Sequence, residues 1–422
     1  MDAGQRGPSM NERLRFCLVT TFYPPYHFGG DAVFVQRLAN AIAARGHTVD
    51  VVHSVDAYRL SASAPREGGV ETQGVRRLPL ETPVPFLSTL LSHQLGSPGV
   101  YRRRLREILE SDRYDVIHFH NISLMGGPEV LRYGDCVKLY TTHEYWLVCP
   151  THVLFKFDRE ACRSKECLLC TLRARRPPQL WRATAHAQRC VARLDRLLVP
   201  SRFAMQRHSD EGIAAAMELL PHFVPVPREN PQRATGRDGS FLFVGRLEKL
   251  KGLQDLFPLL RAFPQARLRI AGTGAYEAEL RRMASDLENV EFLGQVPPSR
   301  IPDLYREAIA VVVPSLCYEV FPLAAAEALG QGVPVIARRI GALAEIVEES
   351  GGGLLFETVA ECRLAMEQLL GSPALRTELG DRGRRFALER WTEEVHVERY
   401  LELVRTLMKE RAASRHAPAG AA

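Results

Sequence analysis

The sequence predicts an α/β protein made of two doubly wound parallel-sheet domains in series. Three observations carry that prediction. Residues 14–52 run as an apolar strand, a glycine-bearing loop, an amphipathic helix and a second apolar strand, which is a βαβ unit. The same alternation restarts after a polar, turn-forming stretch at 228–239. Finally, 422 residues with 46% hydrophobic and 25% charged side chains exceed what one core holds, and the composition is that of a globular protein.

The elements follow in order. Residues 14–20 read as a buried strand, and Pro24, Pro25, Gly29 and Gly30 mark the loop after it. A helix over 32–45 is signalled by Val33, Val35, Leu38, Ala39 and Ile42, and Gly46-His47 closes it before the strand at 49–52. Further strands are predicted at 116–119, 138–142 and 196–201. The second half carries strands at 241–244, 268–271, 290–293, 310–313 and 333–336, with helices between them. The stretch from Trp391 to Met408 places Val395, Val397, Tyr400, Leu401, Leu403 and Val404 on one helical stripe, and 410–422 reads as a frayed tail. The expected organisation is an N-terminal domain over 12–220, a C-terminal domain over 221–390 and a helix over 391–410 that crosses back to the N-terminal domain. In such sheets ligands bind beyond the carboxyl ends of the strands, so the loops at 21–31, 143–149, 245–252, 272–275, 315–322 and 340–345 are where chemistry is expected.

Composition bounds the partners. No apolar run reaches the eighteen or so residues of a membrane span, and residues 16–19 are too short for a signal-peptide core, so a cytoplasmic protein is expected. The net charge of +6 is too mild to demand a polyanion. Its arginines are nevertheless patchy: Arg102, Arg103, Arg104 and Arg106 form one stripe, and Arg173, Arg175, Arg176, Arg182 and Arg189 another. With Leu180 and Trp181 among them, these stripes fit peripheral contact with the inner face of a cell membrane, or simply solvated helix faces.

The residues able to carry chemistry cluster in the second half. Glu319 and Glu327 flank a helix start at Pro322, where unpaired N–H groups at residues 321–323, less the donor that Pro322 lacks, favour a phosphate or a sugar hydroxyl. Carboxylates accept hydrogen bonds from vicinal diols; a surface pair is the alternative. Gly245 to Gly252 follows a strand directly, with Arg246 as a planar phosphate fork and Lys251 as a point charge. Gly29-Gly30 and Gly272-Thr273-Gly274 allow close backbone approach, or are ordinary turns. His143-Glu144 follows the strand at 138–142 and is catalytic or structural. Cys149, Cys162, Cys167 and Cys170 lie within 22 residues and end in C-x2-C, a spacing that fits a structural zinc site or an iron–sulfur cluster, or four unrelated thiols in a loop.

Taken together, Gly29-Gly30, Gly46-His47, His143-Glu144, Gly245-Arg246 with Lys251-Gly252, Gly272-Thr273-Gly274, Glu319-x7-Glu327 and Gly341 with Glu345 resemble the retaining GT-B glycosyltransferases of family 4. The resemblance runs from about residue 14 to residue 404 and implies two facing Rossmann-like domains with a nucleotide sugar in the cleft between them. It implies that Arg246 and Lys251 hold the diphosphate and that Glu327 holds the ribose. Glu319 and the backbone from Phe321 to Leu323 would meet the donor sugar, and Gln295 and Val296 the base. Gly30 and Gly272 would lie near the ligand, and His143 would approach the sugar from the N-terminal domain. No cofactor for catalysis is implied. Val320 and Pro322 stand where the family commonly has glycine, and Glu144 where aspartate is more usual. The insert at His143-Glu144-Tyr145-Trp146 with Cys149-Pro150 is similar to that of a subgroup of the family. The implied activity is transfer of a sugar to a saccharide or lipid-linked acceptor in polysaccharide or glycoconjugate synthesis, with no nucleic-acid partner. Two rivals are a GT-B nucleotide-sugar epimerase and, from another class, a zinc-dependent nucleic-acid-binding protein.

Overall fold

Short β-branched and apolar runs form the strands, and the computed structural model describes them within residues 13–60, 62, 72–229 and 239–416. In the first half these are β1 (Arg15–Thr20), β2 (Thr48–Ser54), β3 (Val75–Leu80), β4 (Val116–Phe119), β5 (Val137–Thr141), β6 (Phe155–Lys156), β7 (Glu160–Ala161), β8 (Arg196–Val199) and β9 (Met217–Leu219). The second half contributes β10 (Ser240–Val244), β11 (Arg267–Ala271), β12 (Val290–Gly294), β13 (Val311–Val313), β14 (Val335–Arg338) and β15 (Gly353–Phe356). One sheet has the order β3-β2-β1-β4-β5-β8-β9 and the other β12-β11-β10-β13-β14-β15, with parallel pairing throughout. The small β6–β7 hairpin is antiparallel and separate. Both sheets are doubly wound and Rossmann-like, as expected.

Each sheet buries both faces, which is why its central strands are apolar almost without interruption. In β1, Cys17 and Val19 enter the cluster holding Ile117, Phe119, Tyr140 and Leu197, while Phe16 and Leu18 enter the opposite cluster with Phe34, Leu38 and Ile42. That second cluster also takes Val397, Tyr400, Leu401, Val404 and Leu407 of the Glu393–His416 helix, so the chain's last helix packs on the first sheet. Each such side chain contributes on the order of 1.5–3 kcal/mol when fully buried.

Some expectations need correcting. The last helix does not fray at residue 410: Arg411 reaches Asp195 at 3.0 Å and Asp135 at 2.6 Å, and Arg415 reaches Asp135 at 2.6 Å. Residues 417–422 and positions 230–238 of the expected linker lie outside the described residues. The strand expected at 333–336 begins at Val335, since Pro334 has no N–H for the ladder and only its carbonyl is used, by the Val311 N–H. Pro322 is not in the first turn; it is the N-cap of the Leu323–Gly330 helix. Strands β3, β9 and β15 were not anticipated: all three are sheet edges, and β3 carries the adjacent Arg76 and Arg77 and a proline.

The two sheets are joined by specific polar contacts as well as by chain. Both carboxylate oxygens of Glu345 accept backbone N–H groups, from Arg202 and Phe203, at 2.8 Å each. Ser201 accepts the Ala204 N–H and donates to the Val320 carbonyl at 2.7 Å. Three of the four orphan donors that open the Arg202–Asp210 helix are thereby satisfied, two of them by the other half of the chain. We expect Glu345→Ala to lower stability by about 1–2 kcal/mol, read from urea unfolding, because it removes a charged helix cap at the joint; an unchanged midpoint would contradict that role.

Candidate active site

In both sheets the strand order reverses beside the first strand, between β1 and β4 and between β10 and β13. Such switch points leave a crevice at the carboxyl edge, and the motif loops emerge there. A cavity of about 380 Å³ opens at the opposite edge of the first sheet, against Arg15, Asp50, Arg76 and Tyr114, away from every motif residue.

After β10 the chain runs through Gly245 and Arg246 into the short Lys249–Lys251 turn, and Gly252 takes φ +75°. Lys251 Nζ lies 2.9 Å from Glu319 Oε1, and Ser315 donates to the same oxygen. Burial opposes both charges, yet each raises or lowers the other decisively: Lys251 is held above the ordinary lysine value by Glu319, and Glu319 below the ordinary carboxylate value by Lys251, Ser315 and Arg246. Arg246 is exposed and touches Glu248 at 2.9 Å. A mainly buried ammonium and an exposed guanidinium therefore share one loop.

Glu327 sits one turn inside the Leu323–Gly330 helix. Burial pushes its carboxyl up, against Arg37 at 3.6 Å and the Tyr305 hydroxyl at 3.1 Å. Arg37 comes from the Gly30–Ala44 helix of the first half, so this contact spans the crevice. Gly30 opens that helix, and a Cβ there would stand 2.9 Å from Leu323 Cδ1, so a larger residue would make the Leu323 side chain shift. Phe321 is buried, with its ring 5.5 Å from His222 and 5.7 Å from Trp391, leaving its backbone for any ligand.

His143 lies in a chain of imidazoles. Its Nε2 is 2.9 Å from His120 Nδ1 and its Nδ1 is 3.2 Å from His222 Nε2. Three neutral rings supply three N–H groups and three lone pairs; two hydrogen bonds leave one donor and one acceptor at the chain ends, and His120 Nε2 and His222 Nδ1 are indeed buried without partners. His143 therefore has both nitrogens engaged. Glu144 does not enter this chain but binds His152 Nδ1 at 2.9 Å.

The remaining expected residues divide. Gly272 is needed for backbone packing: a Cβ there would fall 1.9 Å from the Gly245 carbonyl oxygen. Gln295 is exposed beyond β12, and Val296 packs against the apolar cluster under the second sheet. Glu345 is engaged by the Arg202–Asp210 helix. Cys149, Cys162, Cys167 and Cys170 all line one cavity of about 20 Å³ with Thr151, Lys156 and Thr171. As they lie, no three His, Cys, Asp or Glu side chains among the described residues converge tightly enough to hold a metal ion. Arg37, Tyr305, His120 and His222 were missed, since each joins the site from another element and only the His118–His120 pair at the end of β4 offered a local signal; Ser315 was missed although it opens the 315–322 loop, four residues before Glu319.

Comparison with known proteins places this geometry. Residues 28–228 match the model of Glycosyltransferase Family 4, and residues 228–386 match Glycosyl transferases group 1. The chain is 30% identical over 381 residues to the D-inositol 3-phosphate glycosyltransferase of Pseudarthrobacter chlorophenolicus, covering 83% of this chain and 84% of that one. It shares its fold with the sucrose-phosphate synthase of Thermosynechococcus elongatus (TM-score 0.73, 21% identity, 94% of this chain and 100% of that one). It shares it also with Anabaena HepE in complex with UDP-glucose (TM-score 0.63, 16% identity, 95% of this chain and 100% of that one).

The imidazole chain carries a pH dependence. Burial pushes His143 and His396 down to about 4 from the ordinary 6.5, and His118, His120 and His222 well below it. A depressed histidine contributes stability that is whole above its unfolded value and lost as pH falls toward its folded one. The urea midpoint should therefore fall as pH drops from about 6.5 to about 4; a flat profile across that window would show that these rings are not held neutral.

Proposed function

The chain belongs to the GT-B glycosyltransferases that join a family 4 domain to a group 1 domain, and we propose that it is a retaining enzyme that takes its sugar from a nucleoside-diphosphate donor. The observation that carries this reading is the half-buried Lys251–Glu319 pair beside Arg246 at the switch point of the second sheet. Charge develops on the leaving diphosphate in the transition state. Arg246 and Lys251 supply preorganised positive charge there, in a site partly screened from water, and no cofactor is needed for catalysis. Glu319 and the Phe321–Leu323 backbone face the sugar, while Glu327 accepts the ribose hydroxyls once Arg37 yields. His143, neutral and flanked by imidazoles, approaches the sugar from the first half; Gly30 and Gly272 give the backbone room near the phosphates, and Gln295 and Val296 meet the base.

Retention fits the arrangement of the carboxylates. Glu319 is held by Lys251 and Ser315, and Glu327 by Arg37 and Tyr305, so neither is poised as a nucleophile. The acceptor then attacks from the face that the diphosphate leaves. A saccharide or lipid-linked acceptor in polysaccharide or glycoconjugate synthesis is the substrate class proposed. An epimerase would convert the donor with no acceptor present, and a nucleic-acid-binding protein would give a salt-sensitive gel shift.

The four cysteines are read as a structural zinc site whose thiols rotate toward their shared cavity on binding; Arg182, near Cys149 and Cys167, suits the negative charge of a tetrathiolate. Near-stoichiometric zinc in protein purified under reducing conditions is expected, and metal-free protein that takes up none on reconstitution would overturn the site.

The donor reading is tested by thermal unfolding against UDP, GDP, ADP and their sugars. One diphosphate at a hundred times its Kd should stabilise the chain by about 2.7 kcal/mol, and Glu327→Ala should abolish the effect. Lys251→Ala should lower kcat roughly 100- to 1000-fold with the identified donor. Inverted anomeric configuration in the product would refute retention, and no response to any nucleotide would refute the donor site.

A further inference from the structure

Two helices of the first half are amphipathic the wrong way round. The Pro85–Leu95 helix buries Ser88, Thr89 and Ser92, yet Phe86, Leu87 and Leu95 face solvent. Ser88 finds a partner in the Pro85 carbonyl at 3.0 Å, but the Thr89 and Ser92 hydroxyls are buried without one. The Cys167–Arg173 helix behaves likewise: Cys167, Cys170 and Thr171 turn to the cysteine cavity, while Leu168, Leu169 and Leu172 point outward. Each of these six outward residues is 47–66% exposed. An ordinary surface helix does the reverse, and inverted polarity leaves apolar area in water while hiding hydroxyls.

The two helices belong to one region. Leu180, also exposed, stands beside Trp181, whose indole N–H donates to the His93 carbonyl at 3.1 Å. A Cβ on Gly96, just past the first helix, would lie 2.7 Å from Trp181 Cγ. Arg176, just past the second, donates to the Thr151 carbonyl at 3.4 Å, in the loop that carries His152. Arg173, Arg175 and Arg189 have no ion-pair partner among the described residues. Among the described residues no helix is long and apolar enough to cross a membrane.

We propose that this face lies on an anionic bilayer, with Phe86, Leu87, Leu95, Leu168, Leu169 and Leu172 sunk among the acyl chains and Arg173, Arg175, Arg176 and Arg189 against lipid phosphates. The charge decides the occupant. A second copy docked on the same face would set these unpaired arginines against their own kind, whereas anionic headgroups neutralise them. Shallow insertion together with a basic rim supplies the two signals that stable interfacial binding takes.

The test is co-sedimentation of the full chain with phosphatidylglycerol-containing and pure phosphatidylcholine vesicles at low and high salt. Binding to the anionic vesicles alone, weakened by salt, is expected. Leu168→Gln with Leu169→Gln and Leu172→Gln should reduce partitioning at least tenfold without lowering the Tm, since those side chains are exposed. Arg173→Gln with Arg175→Gln and Arg176→Gln should remove its salt dependence. No partitioning at low salt, or partitioning indifferent to the leucine substitutions, would overturn the proposal. So would a concentration-dependent dimer in vesicle-free sedimentation that the same leucine substitutions abolish, because the face would then belong to a second copy.

Discussion

Lys251 and Glu319 stand 2.9 Å apart with their side chains 21% and 15% exposed, and the candidate site is organised around that pair. Partial burial penalises each charge alone, so each depends on the other for its charged form. The Gly245–Gly252 loop and the loop before the Leu323–Gly330 helix therefore cannot move independently. That coupling fixes the position of the Lys251 ammonium before any ligand arrives. Gly252 supports the arrangement from behind: with a Cβ it would meet the Pro314 carbonyl at 2.1 Å, so the turn carrying Lys251 presses directly on the strand end leading to Ser315 and Glu319.

The crevice is braced by the same logic from the other side. Tyr145 donates to the Glu319 carbonyl at 3.3 Å, Ser201 to the Val320 carbonyl at 2.7 Å, and His222 packs edge-on against Phe321. Three consecutive residues of the loop before the Leu323–Gly330 helix are thus held by the first half of the chain. Arg37 adds a contact to Glu327 across the same crevice. The loop's partners come from both halves of the chain.

Much of this was legible in the residues. The βαβ periodicity of 14–52, the restart near 240 and the glycine-bearing loops after strands identified two doubly wound sheets, because parallel strands buried on both faces leave an apolar signature that survives without tertiary information. Edge strands β3, β9 and β15 left no such trace, being short, polar or half-exposed. Arg246, Lys251, Glu319 and Glu327 were singled out by the family resemblance of their motifs, which lie at strand ends and a helix start whose position follows from the strands.

What the sequence by itself determined is the fold and which edge of it carries chemistry: alternation, glycine placement and the Glu319-x7-Glu327 spacing are local properties, and local backbone preferences express them. What only the tertiary structure decided is what each group faces. Glu345, in a loop where chemistry was expected, is a helix cap across the joint; His143, read as catalytic or structural, is the middle of three imidazoles. The Pro85–Leu95 helix turns hydroxyls inward and apolar residues outward. Hydrogen-bond partners and burial here depend on residues 23, 79 or 143 positions away, and no local pattern encodes distances of that kind.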